Sequence, residues 1–351
     1  MKKLINSKTH QLINSTLRPM KFPLFTLCGA AACLLASCGS IQTLTFDQLY
    51  PASLTYPEQV TRVAVVNNVP PVPSSGEKKL TLGVLEGDGK IAAETLAASL
   101  ADSRYFNQVL ICDSALRVPG EPLYGDHRLT LAQVDTLSAL LGADMLFSVE
   151  RVRLQTSRQE VFYPGFPMPL TMVEIKATPL VRIYIPSRET PVATLAKTDS
   201  LYWELSPSLT DAQVIKEGTA GAFSVLQNDL VPHWEPATRM YYDGGSVEMR
   251  DAAVCLREND WQGARDLWTK LYDARKKGSQ KMKAAFNIAL SWEMEGDLKQ
   301  AKEWIDKAQA CAPSDTGDRD MLQYYARLLE EKTKNQPKLD LQMRRFENKI
   351  P

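Results

Sequence analysis

Histidine is scarce, three in 351 residues. His127 sits in the loop-like Gly125-Asp126-His127-Arg128, and His233 stands among Pro232, Trp234 and Pro236. Neither has partners at a metal-binding spacing, which leaves no metal site. No G-x-S-x-G elbow and no H-E-x-x-H helix occurs, so two common hydrolase signatures are excluded. Gly87-Asp88-Gly89-Lys90 lacks the G-x4-G-K-[ST] spacing of a phosphate loop and reads as a turn that starts a helix. These absences predict a chain that is not an enzyme, with no catalytic residues and no cofactor. Net charge is also lacking, with 41 Lys+Arg against 41 Asp+Glu, which argues against a nucleic-acid or anionic-lipid surface. The longest apolar run, residues 22–36, is shorter than the roughly 20 residues of a membrane-spanning helix.

What is present begins at the N-terminus. Lys2, Lys3, Lys8, Arg18 and Lys21 are the only charges before Cys38, and the apolar run follows them. A basic start, a short apolar core and small residues behind it make a secretory signal peptide. The segment closes on Leu35-Ala36-Ser37-Cys38, which resembles the bacterial lipobox. In that family the cysteine thiol receives a diacylglycerol and the signal is cut just before it. The resemblance implies lipidation of Cys38, attachment to a membrane through that lipid, and a cell-envelope address. No acidic run follows Cys38 of the kind that directs some envelope lipoproteins to the surface, so the expected place is the periplasmic face of the outer membrane. Met20-Lys21-Phe22 would itself open an ordinary signal, which leaves Met1 and Met20 as alternative starts. Removal of 1–37 takes five of the 41 basic residues and no acid, leaving 36 against 41, a net of −5. Besides Cys38, that leaves Cys112, Cys255 and Cys311 in apolar periodic stretches, where free core thiols are expected ahead of a disulfide.

From Asp251 to about Lys334 apolar residues recur at three- and four-residue spacing, the mark of amphipathic helices. Two stretches repeat at an offset of 37 residues: AAVCLRENDWQGARDLWTKL from Ala252 and ALSWEMEGDLKQAKEWIDKAQACAP from Ala289. Ala252, Ala264 and Trp268 align with Ala289, Ala301 and Ile305. Small residues let two helices approach closely, while Trp292 and Ile305 fill the space beside them. Gly296 makes the turn, Ala308 continues the seam and Pro313 ends the second helix. Residues 287–313 resemble a tetratricopeptide repeat, whose period is about 34. The first copy departs from the pattern, with Asn259-Asp260 at the turn and Leu271 where a small residue is usual. A helix over 318–334 is expected to cap the stack. The resemblance implies an array whose concave surface holds protein or peptide partners.

Between Tyr56 and Glu235 short β-branched runs alternate with helical patterns. Residues 62–69, 78–85, 108–113, 143–154, 179–186 and 192–205 read as strands; 90–100, 130–141 and 210–230 read as helices. Thr130-x-x-Gln133 and Thr210-x-x-Gln213 open two of these helices as capping boxes. The order predicts an α/β fold, a mixed sheet with helices mainly on one face. The VAVVNN strand, Leu96 and Leu100 followed by Arg104-Tyr105-Phe106 and Val109-Leu110, and Leu140-x-Gly142-Ala143-Asp144-x-Leu146-Phe147 carry a resemblance. It is to the α/β domain of envelope lipoproteins related to the curli-secretion lipoprotein, the penicillin-binding-protein activators and the N-terminal domain of TolB.

Residues 161–169, VFYPGFPMP, place Phe162, Tyr163, Phe166 and Met168 among prolines that forbid a regular helix. Either these are anchors for a partner, or the loop folds back over an open face of the sheet. The domain plan is a signal at 1–37, a tether at 38–55, the α/β domain at 56–235, a linker at 236–250, tetratricopeptide-like repeats with a capping helix at 251–334, and a polar tail at 335–351. The whole predicts a lipid-anchored periplasmic scaffold that binds protein partners without turnover. An oligomeric envelope assembly or export factor is the alternative, with an envelope hydrolase behind it.

Overall fold

The computed structural model describes residues 5–6, 41–71, 79–122, 125–162, 165, 167–206, 208–313 and 316–347. Cys38, Tyr163 and Phe166 lie outside the described residues. The chain divides into two units. Among the described residues the first unit holds 5–6, 51–233 and 342–347, and the second holds 41–50 and 234–341.

The first strands in chain order are β1 (Ile5–Asn6), in the first unit, and β2 (Ile41–Tyr50), in the second. The first unit continues with β3 (Arg62–Asn67), β4 (Gly83–Glu86), α1 (Gly89–Asp102), β5 (Gln108–Cys112), α2 (Leu131–Leu141), β6 (Met145–Val161), β7 (Leu170–Tyr184), β8 (Ala193–Ala196), β9 (Asp199–Glu204), α3 (Asp211–Ala222) and α4 (Ser224–Leu230). Its mixed sheet runs β1-β9-β7-β6-β3-β5, with β4 beside β6 and β8 beside β7. β3 lies between two parallel neighbours, β5 and β6. Both its faces are covered, so Val63, Ala64, Val65 and Val66 are all buried and the strand reads as an unbroken apolar run.

Capping fixes the helices locally. Asp88 caps α1, accepting from the Ile91 N–H, and the Thr130–Gln133 capping box opens α2. Gly142 stops α2 in a left-handed conformation at φ 60°. Asp144 then ties the start of β6 to β3, because its carboxylate accepts from the backbone N–H groups of Thr61 and Arg62 at 2.9 and 2.8 Å. Ala92, Leu96, Val214 and Leu226 bring α1, α3 and α4 onto one core with Val63, Val65 and Phe147. Val134 of α2 packs on the other face with Ala64, Val66 and Leu146. The expected α/β class, with helices mainly on one face, is the one observed.

Boundaries moved where tertiary pairing outweighs local pattern. β6 and β7 form one long antiparallel hairpin, so the expected strand ends at 154 and 179 are both overrun. The expected strand at 192–205 splits into β8 and β9, the helix at 210–230 breaks at Phe223, and 78–85 is reduced to β4. The polar tail is also corrected. A long helix, α9 (Thr316–Glu347), runs through Pro337, and its last residues pack in the first unit. Gln342 bonds the Ala52 N–H and the carbonyls of Ala52 and Leu54, and the Arg345 guanidinium stacks on Tyr105 at 4.0 Å.

The second unit pairs β2 with β10 (His233–Tyr242) and adds α5 (Val247–Arg257), α6 (Trp261–Ala274), α7 (Ser279–Met294) and α8 (Leu298–Cys311), with α9 up to Leu341. Two expectations fall here. The expected tether holds a strand at 41–50, and 236–250 is not a linker, since it holds the end of β10 and the start of α5. Each was read as a connection because its pairing partner lies far away in the sequence.

The 37-residue repeat reappears bond for bond. The Asp260 N–H donates to the Cys255 carbonyl at 2.8 Å, and the aligned Asp297 N–H to the Trp292 carbonyl at 2.9 Å. Asp260 and Asp297 then cap α6 and α8. Ala252, Ala264, Trp268, Ala289, Ala301, Ile305 and Ala308 are buried in one core, joined by Leu271. Trp292 is half-buried beneath the Arg265 guanidinium at 4.0 Å, and Pro313 follows α8. Cys112, Cys255 and Cys311 are free and half-buried.

Candidate functional site

The tip of the β6–β7 hairpin is the first candidate. From Arg151↔Leu180 the register runs unbroken out to Val161↔Leu170. β4 flanks β6 only as far as Thr156, and β9 flanks β7 only from Met172. The last rungs of the hairpin therefore extend past both neighbours. No charged residue occurs between Glu160 and Glu174. Phe162 is 75% exposed and Met168 73%, so neither is folded back onto the sheet. Large apolar side chains held in water at the end of a rigid hairpin suit an interface anchor.

The helical unit carries a site that sequence reasoning missed. Residues 284–291 of α7 are all buried, so the helix is covered around its circumference. β10 lies along one side. Asn287 bonds the Tyr242 backbone, and the Tyr242 hydroxyl donates to Asp318 at 2.8 Å. Further along, Arg239 of β10 grips Glu293 of α7 through Nε and Nη2 at 3.0 and 2.8 Å. Glu293 also accepts from the Tyr325 hydroxyl and the Lys332 ammonium at 2.8 and 3.0 Å. Burial pushes its carboxyl pKa up, but the bonds and charges of Arg239 and Lys332 outweigh that and hold it below the ordinary range. The available signal was Glu293 itself, a lone acid in an apolar helical stretch.

A crevice of about 420 Å³ opens at the carboxyl ends of β3 and β5. The chain leaves β3 for α1 on one face and β5 for α2 on the other, which makes this a topological switch point. Its acidic side chains already have partners. Glu86 is paired with Arg151, Asp88 caps α1, and Asp113 meets Lys90 at 3.3 Å. Gly89 is required by packing, because a Cβ there would lie 2.3 Å from Asn67 Oδ1. The Gly87–Lys90 turn starts α1, as the sequence suggested, and Gly89 also lets α1 approach β3.

Glu150 is the residue left over at a bulge in β6, between the Val149↔Val181 and Arg151↔Leu180 pairs. It is buried and accepts from Asn68 Nδ2 at 2.8 Å, with Arg182 at 3.6 Å and the Tyr184 hydroxyl at 3.4 Å. Burial raises its pKa, and Asn68 and Arg182 offset this only in part. Tyr184 is pushed up to about 12, again mainly by burial. His127 contributes its carbonyl to Asn68, and the His233 ring lies 3.3 Å from the Val231 carbonyl. Among the described residues no group of three metal-ligating side chains forms, and no helix is long and apolar enough to cross a membrane.

Comparison with known families matches two segments. Residues 250–331, from α5 into α9, match a domain of unknown function, DUF6340. Residues 60–242, from the entry to β3 to the last residue of β10, match a domain of unknown function, DUF8603. No curated protein matches the chain. Because the second match takes in the sheet, the hairpin and the crevice, and spans more than half of the 351 residues, the chain belongs to the DUF8603 family.

Proposed function

We propose that this chain is a lipid-anchored scaffold on the periplasmic face of the outer membrane, attached through Cys38, and that it binds other envelope proteins without turnover. The observation that carries the binding role is the projecting, uncharged tip of the β6–β7 hairpin, with Phe162 and Met168 in water. The L-A-S-C end of the apolar run supports the address. The hairpins α5–α6 and α7–α8 are read as tetratricopeptide-like repeats on the strength of their matched turns and shared core. Peptide recruitment along α7 would displace β10, so the contact expected on this unit is the outer side of α5. There Val247 and Val254, seven residues apart, are 58% and 41% exposed.

The test is affinity capture from solubilised membranes with the native chain, with Phe162→Asp/Met168→Asp and with Val247→Asp/Val254→Asp. Loss of two interface anchors lowers recovery of a defined partner by about tenfold or more. A tip variant that folds normally and recovers the same partner equally well removes the hairpin from the reading. Incorporation of a labelled fatty acid into the native chain, and its loss in Cys38→Ala, tests the anchor.

A further inference from the structure

We infer that the helical unit is held directly against the bilayer, with the start of β2 as its membrane-facing point; this rests on the lipidation of Cys38 proposed above. Cys38 and Ile41 are three residues apart, which an extended chain spans in at most about 11 Å. Ile41 is the first residue of β2, and β2 belongs to the helical unit. The strand is fastened at several points. Thr45 Oγ1 lies 3.3 Å from Thr238 Oγ1 on β10, Gln48 Oε1 accepts from Arg239 Nη2 at 3.0 Å, and the Arg239 guanidinium sits 5.4 Å from the Phe46 ring. Arg239 is in turn locked to Glu293 on α7, and Glu293 to Tyr325 and Lys332 on α9. A lipid at Cys38 is thus joined to the helical core by three residues and a paired strand. From Cys38 through Phe46 the chain has no charge to repel a headgroup layer, and Ile41 is half exposed. The occupant of this end of the unit is therefore the bilayer surface.

The experiment uses the lipidated full chain in vesicles of phosphatidylethanolamine and phosphatidylglycerol. A donor dye on Thr238→Cys, with Cys112, Cys255 and Cys311 changed to serine, reports energy transfer to an acceptor on the lipid headgroups. Thr238 is exposed and touches Thr45, seven residues from Cys38, which puts it within about 30 Å of the surface. Strong transfer is expected. A spacer of about twenty Gly/Ser residues between Ser40 and Ile41 adds about 25 Å and is expected to lower transfer at least twofold. Weak transfer in the lipidated chain overturns the inference, and so does transfer that the spacer leaves unchanged. Amide exchange on the unlabelled, lipidated chain checks the strand itself: β2 amides should be protected, and free exchange over 41–50 would overturn the rigid link. If mass analysis finds no diacylglycerol on Cys38 and the chain stays off the vesicles, the anchoring reading fails first, by a separate readout.

Discussion

The side-chain amide of Asn287 pairs with the backbone of Tyr242 as a neighbouring strand would. Its Oδ1 accepts from the Tyr242 N–H at 3.0 Å, and its Nδ2 donates to the Tyr242 carbonyl at 2.7 Å. Both residues are buried. One helix side chain thereby terminates β10. Asn287→Ala leaves a buried donor and a buried acceptor unmet, at about 1–3 kcal/mol each. The expected loss is about 2–6 kcal/mol in urea unfolding of the full chain. A loss below about 0.5 kcal/mol would mean those groups find other partners and β10 is not fixed by this pair.

Glu293 makes the helical unit acid-sensitive. Its folded pKa is depressed, so the unfolded chain binds more protons as pH falls. Its contribution is complete above the unfolded value of about 4.3 and is lost as pH drops through the lower folded value. Glu293→Gln should abolish that part of the acid dependence, read from exchange of α7 amides between about pH 5 and 3. At pH 7 the variant leaves Arg239 buried without its counter-charge, at about 3–5 kcal/mol. Arg239→Met/Glu293→Met should cost less than Glu293→Gln alone, since no buried guanidinium is stranded and Lys332 loses its carboxylate in both. Equal costs would show that the pair's charges are not coupled.

The repeat turns and the helix starts were legible because they are local. Thr130 and Gln133 sit three residues apart and bond each other's backbone, so the pattern contains the contact. β2 and β10 were illegible for the opposite reason. IQTLTFDQLY alternates weakly and follows Leu35-Ala36-Ser37-Cys38, which resembles a lipobox and invites the reading of a tether, and its partner carries Pro236 and lies far downstream. Nothing near either strand in sequence reports the other. The polar tail misled in the same way, because its composition carries no apolar period and Pro337 gives no sign of a helix running through it. The buried bonds of Gln342 and Arg345 beyond it show which tertiary contacts carry α9 onward. Asn287 opens the stretch that resembles a repeat, and a polar residue there does not announce a backbone partner.

Asn259 shows how the weaker repeat copy keeps its turn. It takes φ 59° where the aligned Gly296 takes φ 89°, a region that L residues other than Asn and Asp rarely enter. Asn259→Gly should therefore be nearly neutral. Asn259→Val should lower the thermal midpoint, at a cost of about 1–3 kcal/mol from strain at a positive-φ site. Gly296→Val should behave alike. If Asn259→Val melts with the native chain, the turn does not depend on the left-handed residue and the two copies are not equivalent there.

Glu150 has the opposite sign from Glu293. Its pKa is raised chiefly by burial, so the folded chain binds the proton more tightly than the unfolded one. Stability then falls as pH rises from the unfolded value of about 4.3 to the higher folded value, and stays lowered above it. Above that folded value the ionised carboxylate is a net burden on the first unit. Glu150→Gln retains an oxygen to accept from Asn68 Nδ2, and Arg182 keeps Asp126 at 3.0 Å. The variant should be as stable as the native chain or more so where the native carboxylate is ionised, and should lack the decline that begins above about pH 4.3. Exchange of the β3 amides reads this without interference from the helical unit. If Glu150→Gln instead weakens the first unit by more than about 1 kcal/mol at pH 7, the attraction of Arg182 at 3.6 Å exceeds the cost of burial and the sign assigned to this carboxylate is wrong.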